Sequence, residues 1–490
     1  MICRAPHHSS LRRLWLVALL GAALSAQAQS ALPPGVAAAL RDAGIADASL
    51  SALVLPLQGG APRLAHFEQR PMAPASTMKL VTTLVALDEL GPSFRWRTQL
   101  LSSSLSQGSV LRGPWYLRGG GDPNLTWDGL RSLLRTLRAQ GVTRIEGDLI
   151  LDRSLFQPTR LDRGAAPFDE APDAYYNVIP DALLLNSNLI EFTLDSSQGP
   201  TQVRSQPPLE RVRLNAQLKT RDGACDDWDN DELVAKAQPQ AGGAIELTLS
   251  GTFPANCQVK TSLSLLDRNL YIERFVRSFW RELGGRWSGQ ARDGLTPAQA
   301  RVRVEHRSDT LADAVKIANK TSDNALTRSL YLSLGVQYQG QERGALSLAN
   351  GEAALRAWFA RHGIATEGLV LDNGSGLSRL ERISAGQLAG LLQAGARSHW
   401  FAEFATSLPI AGVDGSMRKR LRDTPAAGRA RIKTGSLKDA VAVAGYVRDE
   451  AERDWVVVAF INDAQAKTGR AALDALIRWT ASTEAPVALP

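Results

Sequence analysis

Three short motifs in this 490-residue chain bring together residue types that could carry out acyl transfer: Ser76-Thr77-Met78-Lys79, Ser322-Asp323-Asn324 and Lys433-Thr434-Gly435. A serine and a lysine three residues apart on a helix share one face, so the amine can take the hydroxyl proton as the oxygen attacks a carbonyl. A helix N-terminus adds a favourable field for the negative charge that develops there. To act as a base Lys79 must be neutral part of the time, which burial and a neighbouring cation such as Lys433 would favour. Ser322 could relay a proton to a leaving amine, and Asn324 could hold an amide of the reacting chain. Lys433 would offer a fixed positive charge to a carboxylate.

Each motif alone is weak, and the chain contains decoys. Ser416-Met417-Arg418-Lys419 repeats the first pattern and Lys467-Thr468-Gly469 the third. Ser416 follows the Ser-Asp-Asn triplet in a polar stretch without an apolar stripe, and Lys467 leads into the last helical segment, whereas Lys433 opens a strand whose edge could line a site. Order and context therefore favour Ser76 and Lys433. There is no Gly-x-Ser-x-Gly elbow and no His-Glu-x-x-His helix. His66, His306, His362 and His399 are scattered and read as structural or surface residues. The glycine-rich turn at 119–124 lacks the Lys-Ser/Thr that a phosphate loop requires.

The elements that must position these residues are legible in outline. Leu80, Leu84 and Leu87 recur at helical spacing beside Val81, Val85 and Ala86, with Pro74 before them and Gly91-Pro92 after. This predicts a core-facing helix over 76–90 with Ser76 in its first turn. Residues 36–42 read as a short helix, and 48–57 and 61–68 as strands split by Gly59-Gly60. Between about 97 and 290 the texture turns to strand-like runs at 109–117, 144–152, 189–194 and 244–249, with helical periodicity at 127–138. Helices return at 265–283, 310–317 and 324–334. The C-terminus reads as strands at 433–436, 440–447 and 455–461, then an amphipathic helix at 470–479. The expected fold is α/β (α+β), an antiparallel sheet flanked by helices, interrupted by a strand-rich insertion.

With 44% hydrophobic and 21% charged residues, the chain is too long for one core and too apolar to be disordered, which predicts two or three domains. Arg4, Arg12 and Arg13, an apolar run at 14–24 and Ala26-Gln27-Ala28 have the layout of a cleaved export signal over 1–28. The run is too short for a spanning helix, which needs roughly 20 residues, so no transmembrane anchor is expected after cleavage. Export to an oxidising compartment would let Cys225 and Cys257, the two cysteines beyond the signal, form a disulfide; two unrelated free thiols are the alternative. Of the formal charge of +7, the three signal arginines account for three, leaving +4. That eases approach to an anionic cell-wall polymer, and without a dense basic run it does not point to nucleic acid.

On the three motifs the chain resembles the class C low-molecular-mass penicillin-binding proteins, the D-alanyl-D-alanine carboxypeptidase/endopeptidase family of the penicillin-binding protein 4 type. Gly120-Gly121-Asp122-Pro123, Gly147-Asp148-Leu149-Ile150-Leu151-Asp152, the run from Asn373-Gly374-Ser375-Gly376 to Leu377-Ser378-Arg379 and the run from Leu408-Pro409-Ile410-Ala411 to Gly412-Val413-Asp414-Gly415 carry the likeness further. So does the separation of 246 residues between Ser76 and Ser322. The resemblance implies a transpeptidase/β-lactamase-like domain built from 29–96 and 290–490, an inserted domain II from 97–165 and 255–289, and an inserted domain III from 166–254. It implies a periplasmic serine-type DD-carboxypeptidase and peptidoglycan DD-endopeptidase that acts on stem peptides and is acylated by β-lactam antibiotics as covalent inhibitors. Ser76 would be the nucleophile and Lys79 the base, with Ser322 and Asn324 lining the site. Lys433 with Thr434 would hold the substrate carboxylate, Gly435 and Ser436 would belong to the same substrate-binding strand, and the amides of Ser76 and Ser436 would form the oxyanion hole. By the same resemblance Asp169, in the run Pro167-Phe168-Asp169-Glu170, is the candidate for reading a diaminopimelate end, with a solvated loop acid as the alternative, and Tyr176 would close the same pocket; Arg379 would meet a substrate carboxylate or, the favoured reading, be structural. A homodimer is left open, and the chemistry requires no metal and no organic cofactor. A β-lactamase would be expected to place a Glu-x-x-Leu-Asn base between Asn324 and Lys433, where none occurs. A penicillin-binding sensor would be expected to have lost its base or its asparagine, yet Lys79 and Asn324 are present.

Overall fold

The computed structural model describes residues 31–104, 108–228, 232–338 and 346–482; the expected export signal over 1–28 lies outside them. The two ends of the chain build one sheet. Strand Leu50–Pro56 lies between Leu64–His66 and Asp454–Asn462, and Ala440–Arg448 and Ala430–Ser436 complete an antiparallel sheet with Ala430–Ser436 at its edge. Side chains alternate between faces: Val456, Val458 and Phe460 pack into one apolar cluster, and Val457, Ala459 and Ile461 into another. The run 455–461 is apolar without alternation because both faces are covered. Helices Pro34–Asp42 and Arg470–Ala481 cover one face; on the other side Lys79–Leu90, Leu311–Thr321, Asn324–Gln337, Ser347–Arg361 and Ala385–Arg397 share a single core.

Every residue of Lys79–Leu90 through Leu87 is buried, so this helix runs through the middle of that layer. Its expected first turn is not α-helical. Residues Ala75–Met78 wind as a 3₁₀ turn entered from Ala75 at φ 45°, and the α-helix starts at Lys79.

The middle of the chain forms its own sheets around a second apolar core that includes Trp115, Phe192, Leu249, Phe275 and Trp280. Two of the expected long strands are each split in two, Val110–Arg112 from Trp115–Arg118 and Arg144–Glu146 from Leu149–Asp152. The breaks press on each other: a Cβ on Gly147 would lie 2.2 Å from the carbonyl oxygen of Gly113. Strand pairing also runs past the expected border at 289. Ala291–Asp293 pairs with Leu149–Asp152, and Arg301–Arg307 pairs with Arg97–Ser102, so the sheet of the middle region extends to residue 307. Likewise Gln258–Leu263 pairs with Ile190–Asp195, beyond the expected border at 254. Cys225 and Cys257 form a disulfide. Among the described residues no helix is long and apolar enough to cross a membrane.

Candidate active site

Ser76 sits half-buried in the 3₁₀ turn, clamped from two sides by backbone. A Cβ on Gly435 would come within 2.9 Å of the Ser76 nitrogen, and one on Gly376, at φ 82°, within 1.9 Å of the Ala75 carbonyl oxygen. No side chain larger than hydrogen fits at either position without moving the serine.

One turn on, Lys79 is fully buried, and its amine donates to Ser76 Oγ at 3.1 Å, Asn324 Oδ1 at 2.6 Å and the Ser375 carbonyl at 2.5 Å. Burial lowers its pKa to about 7; Asp323 and Glu381 pull it back up and Arg328 pushes it down. The amine is thus partly neutral near pH 7 while in contact with a serine oxygen. That is the condition for proton abstraction.

Ser322 and Asn324 come from a helix corner. Leu311–Thr321 ends at Ser322, which adopts a left-handed φ of 62°, and Asp323 caps the next helix by accepting from the Leu326 amide. This corner projects Ser322 Oγ to 2.8 Å from Lys433 Nζ. The amide of Asn324 is used at both ends, accepting from Lys79 and donating to the Tyr176 carbonyl at 2.9 Å.

Lys433 is fully buried on the edge strand, and its pKa is lowered well below the usual lysine value by burial and by the nearby Lys79. Parity places the next amides. The Leu437 N–H bonds inward to Ala440, whereas the Ile432 N–H bonds outward to Pro409, so the N–H groups of Thr434 and Ser436 also face out from the edge. Ser436 Oγ accepts from Arg470, and Thr434 Oγ1 lies 2.7 Å from Ser416 Oγ.

Asp169, Tyr176 and Arg379 are brought together beside this cluster. The Asp169 carboxylate accepts from the Tyr176 hydroxyl (3.0 Å), the Asn177 amide (2.7 Å) and the Ala171 N–H (3.1 Å). Arg379 donates to the Phe168 carbonyl and lies over the Phe168 ring. Asp169 therefore folds the loop whose Tyr176 carbonyl holds Asn324. Phe168 and Arg379 also line a neighbouring cavity of about 700 Å³ that extends to Arg328 and Arg268. Of the histidines beyond the expected signal, His66 and His362 bond backbone carbonyls and His306 faces Asp122.

Sequence reasoning missed Glu381. Its carboxylate is buried, with its pKa raised chiefly by that burial, and it accepts the N–H groups of Asp372, Asn373, Gly374 and Gly376. These bonds shape the loop that delivers the Ser375 carbonyl to Lys79.

The chain matches the D-Ala-D-Ala carboxypeptidase 3 (S13) family over residues 33–483. It is 28% identical over 412 residues to the D-alanyl-D-alanine carboxypeptidase DacB of Haemophilus influenzae, covering 82% of this chain and 84% of that one. To the D-alanyl-D-alanine carboxypeptidase of an Actinomadura strain it is 29% identical over 394 residues, covering 77% of this chain and 71% of that one. The crystal structure of penicillin binding protein 4 from Haemophilus influenzae superimposes with a TM-score of 0.73 at 25% identity, covering 91% of this chain and 98% of that one. A chain matched over nearly its whole length, in sequence and in fold, belongs to the D-Ala-D-Ala carboxypeptidase 3 (S13) family and is a hydrolase of the peptidoglycan-processing, serine type.

Proposed function

We propose that the chain is a periplasmic DD-carboxypeptidase and DD-endopeptidase that works through a Ser76 acyl-enzyme. The observation that carries this is the 3.1 Å contact between Ser76 Oγ and a buried Lys79 amine whose pKa is lowered to about 7. Ser76 Oγ attacks the carbonyl of the penultimate D-alanine of a stem peptide, and its proton passes to Lys79. The oxyanion forms within reach of the Ser76 and Ser436 N–H groups. Collapse breaks the amide bond; the leaving nitrogen takes a proton from Lys79 by way of Ser322, which bonds Lys433. Lys433 and Thr434 hold the substrate carboxylate. Water then attacks the ester, giving its proton to Lys79, which passes it to the Ser76 oxygen as the ester C–O bond breaks. The leaving group is D-alanine in the carboxypeptidase reaction and the diaminopimelate amine of a cross-link in the endopeptidase reaction. Phe168, Asp169, Tyr176 and Arg379 form the wall that would meet diaminopimelate, and the inserted region would run to residue 307, where its strand pairing ends. A β-lactam presents its strained amide to the same serine and blocks it as a covalent adduct.

The test is mass spectrometry of the purified protein after benzylpenicillin, beside Ser76→Ala, with D-alanine release from a diaminopimelate-containing pentapeptide assayed in parallel. A serine-dependent adduct and released D-alanine are expected. An adduct without peptide turnover would point to a sensor, and no adduct on folded protein would remove Ser76 from its role.

A further inference from the structure

Ser416 belongs to the second Ser-x-x-Lys pattern, and the fold brings its hydroxyl to 2.7 Å from Thr434 Oγ1. We propose that Ser416 is a positioning residue for the substrate carboxylate, acting through Thr434; this rests on the reading of Thr434 as a carboxylate ligand.

The contact is built rather than incidental. Ser416 lies in the 3₁₀ turn Gly415–Met417, anchored by Met417, which is fully buried. Before the turn, Asp414 accepts the Ile410 N–H at 2.8 Å and takes Lys320 Nζ on both carboxylate oxygens at 2.8 and 2.6 Å. Lys320 also donates to the Leu408 carbonyl at 2.6 Å. It belongs to Leu311–Thr321, the helix that ends at Ser322. On the other side Ile432 of the edge strand donates to the Pro409 carbonyl at 2.8 Å. The loop is therefore tied both to the helix that presents Ser322 and to the strand that presents Lys433 and Thr434.

A hydroxyl has one proton to donate and two lone pairs to accept with. A threonine hydroxyl at a solvent-facing edge turns freely among water, carbonyl and ligand. With Ser416 donating to Thr434 Oγ1, one lone pair is occupied and the Thr434 proton is left to point at the ligand. The exposed Ser416 thus fixes the rotor that meets the carboxylate, and its loss weakens binding of a free carboxylate more than it slows the acyl transfer.

The experiment compares the wild-type chain with Ser416→Ala, Ser416→Thr, Thr434→Val and the double variant Ser416→Ala/Thr434→Val, measuring KM and kcat for D-alanine release from the pentapeptide. Ser416→Ala is expected to raise KM about threefold to tenfold, the effect of one net hydrogen bond, with most of the loss in KM rather than kcat. Ser416→Thr keeps the hydroxyl and is expected to restore KM, and the double variant is expected to be no weaker than Thr434→Val alone. An unchanged KM in Ser416→Ala, a Ser416→Thr as impaired as Ser416→Ala, or additive losses in the double variant would each overturn the proposal. The benzylpenicillin adduct on Ser76 is recorded on the same wild-type sample. Its absence overturns the reading of the site itself, whereas an adduct with an unchanged KM in Ser416→Ala overturns only the role of Ser416.

Discussion

Raising the pH through neutrality is expected to switch on acylation of Ser76, because the base is a lysine that burial has moved into that range. An ordinary lysine with a pKa near 10.4 is about 0.04% neutral at pH 7, whereas one at about 7 is half neutral, a gain of about a thousandfold in competent base. The sign follows from the chemistry: the protonated amine cannot accept the serine proton, so the rate follows the neutral fraction. The second-order rate of benzylpenicillin acylation should rise about tenfold between pH 5 and 6 and about fivefold between pH 6 and 7, then level off above about pH 8. The assay is the rate of appearance of the Ser76 adduct by mass spectrometry, over pH values at which the wild-type protein keeps its thermal melting profile. A rate still climbing log-linearly to pH 10 would mean that Lys79 titrates as an exposed lysine does, and a rate flat from pH 5 to 9 would mean that another group takes the proton. Either result refutes the assignment of the base.

Glu381→Gln removes a negative charge that raises the pKa of Lys79, so the acid limb of the same profile should move to lower pH; a shift to higher pH would refute the coupling. The same variant leaves four backbone N–H groups facing an amide in place of a carboxylate and should cost about 2 kcal/mol or more in urea unfolding. Asp169→Ala frees Tyr176 and Asn177 from the loop that holds Asn324. It should lower kcat/KM on the diaminopimelate-containing pentapeptide about tenfold, more than it lowers acylation by benzylpenicillin; equal losses would show that the loop reads no diaminopimelate.

The parts of this site that could be read from the sequence are those in which side-chain identity is itself the chemistry. Ser76 and Lys79 announce themselves by type and helical spacing, and the strands near the C-terminus do so by unbroken β-branched runs. Glu381 does not, since its partners are four main-chain amides that any residue would supply. Ser416 does not stand out either, since its polar surroundings carry no pattern and its partner lies 18 residues on, across a turn that only the fold closes. Strand Arg301–Arg307 reads Arg-Val-Arg-Val-Glu-His-Arg, polar enough for an edge strand to pass as a linker, which is why the sequence shows no strand there. Helices Ser347–Arg361 and Ala385–Arg397 were not anticipated. Alanine and glycine fill much of both, so the contrast between their faces is low even though they help to fill the core around Lys79–Leu90.

Two buried lysines in one cleft constrain how the proposed chemistry is ordered. Lys79 and Lys433 are both fully buried, and the pKa of Lys433 is lowered by burial and by Lys79, so the pair does not readily hold two protons at once. Near neutral pH the state with one proton is the useful one, and its position decides whether the site can react. With the proton on Lys79 the base is spent and Lys433 offers no charge to a carboxylate. With the proton on Lys433, Lys79 is free to accept from Ser76, while Ser322 and the Thr434 carbonyl accept from the charged amine. A substrate carboxylate arriving at Lys433 and Thr434 stabilises that second arrangement, and by linkage its binding draws the proton away from the base. On this reading, recognition of a free carboxylate and activation of the serine are one event, and ligands that bring a negative charge to Thr434 should acylate faster than neutral analogues of equal intrinsic reactivity.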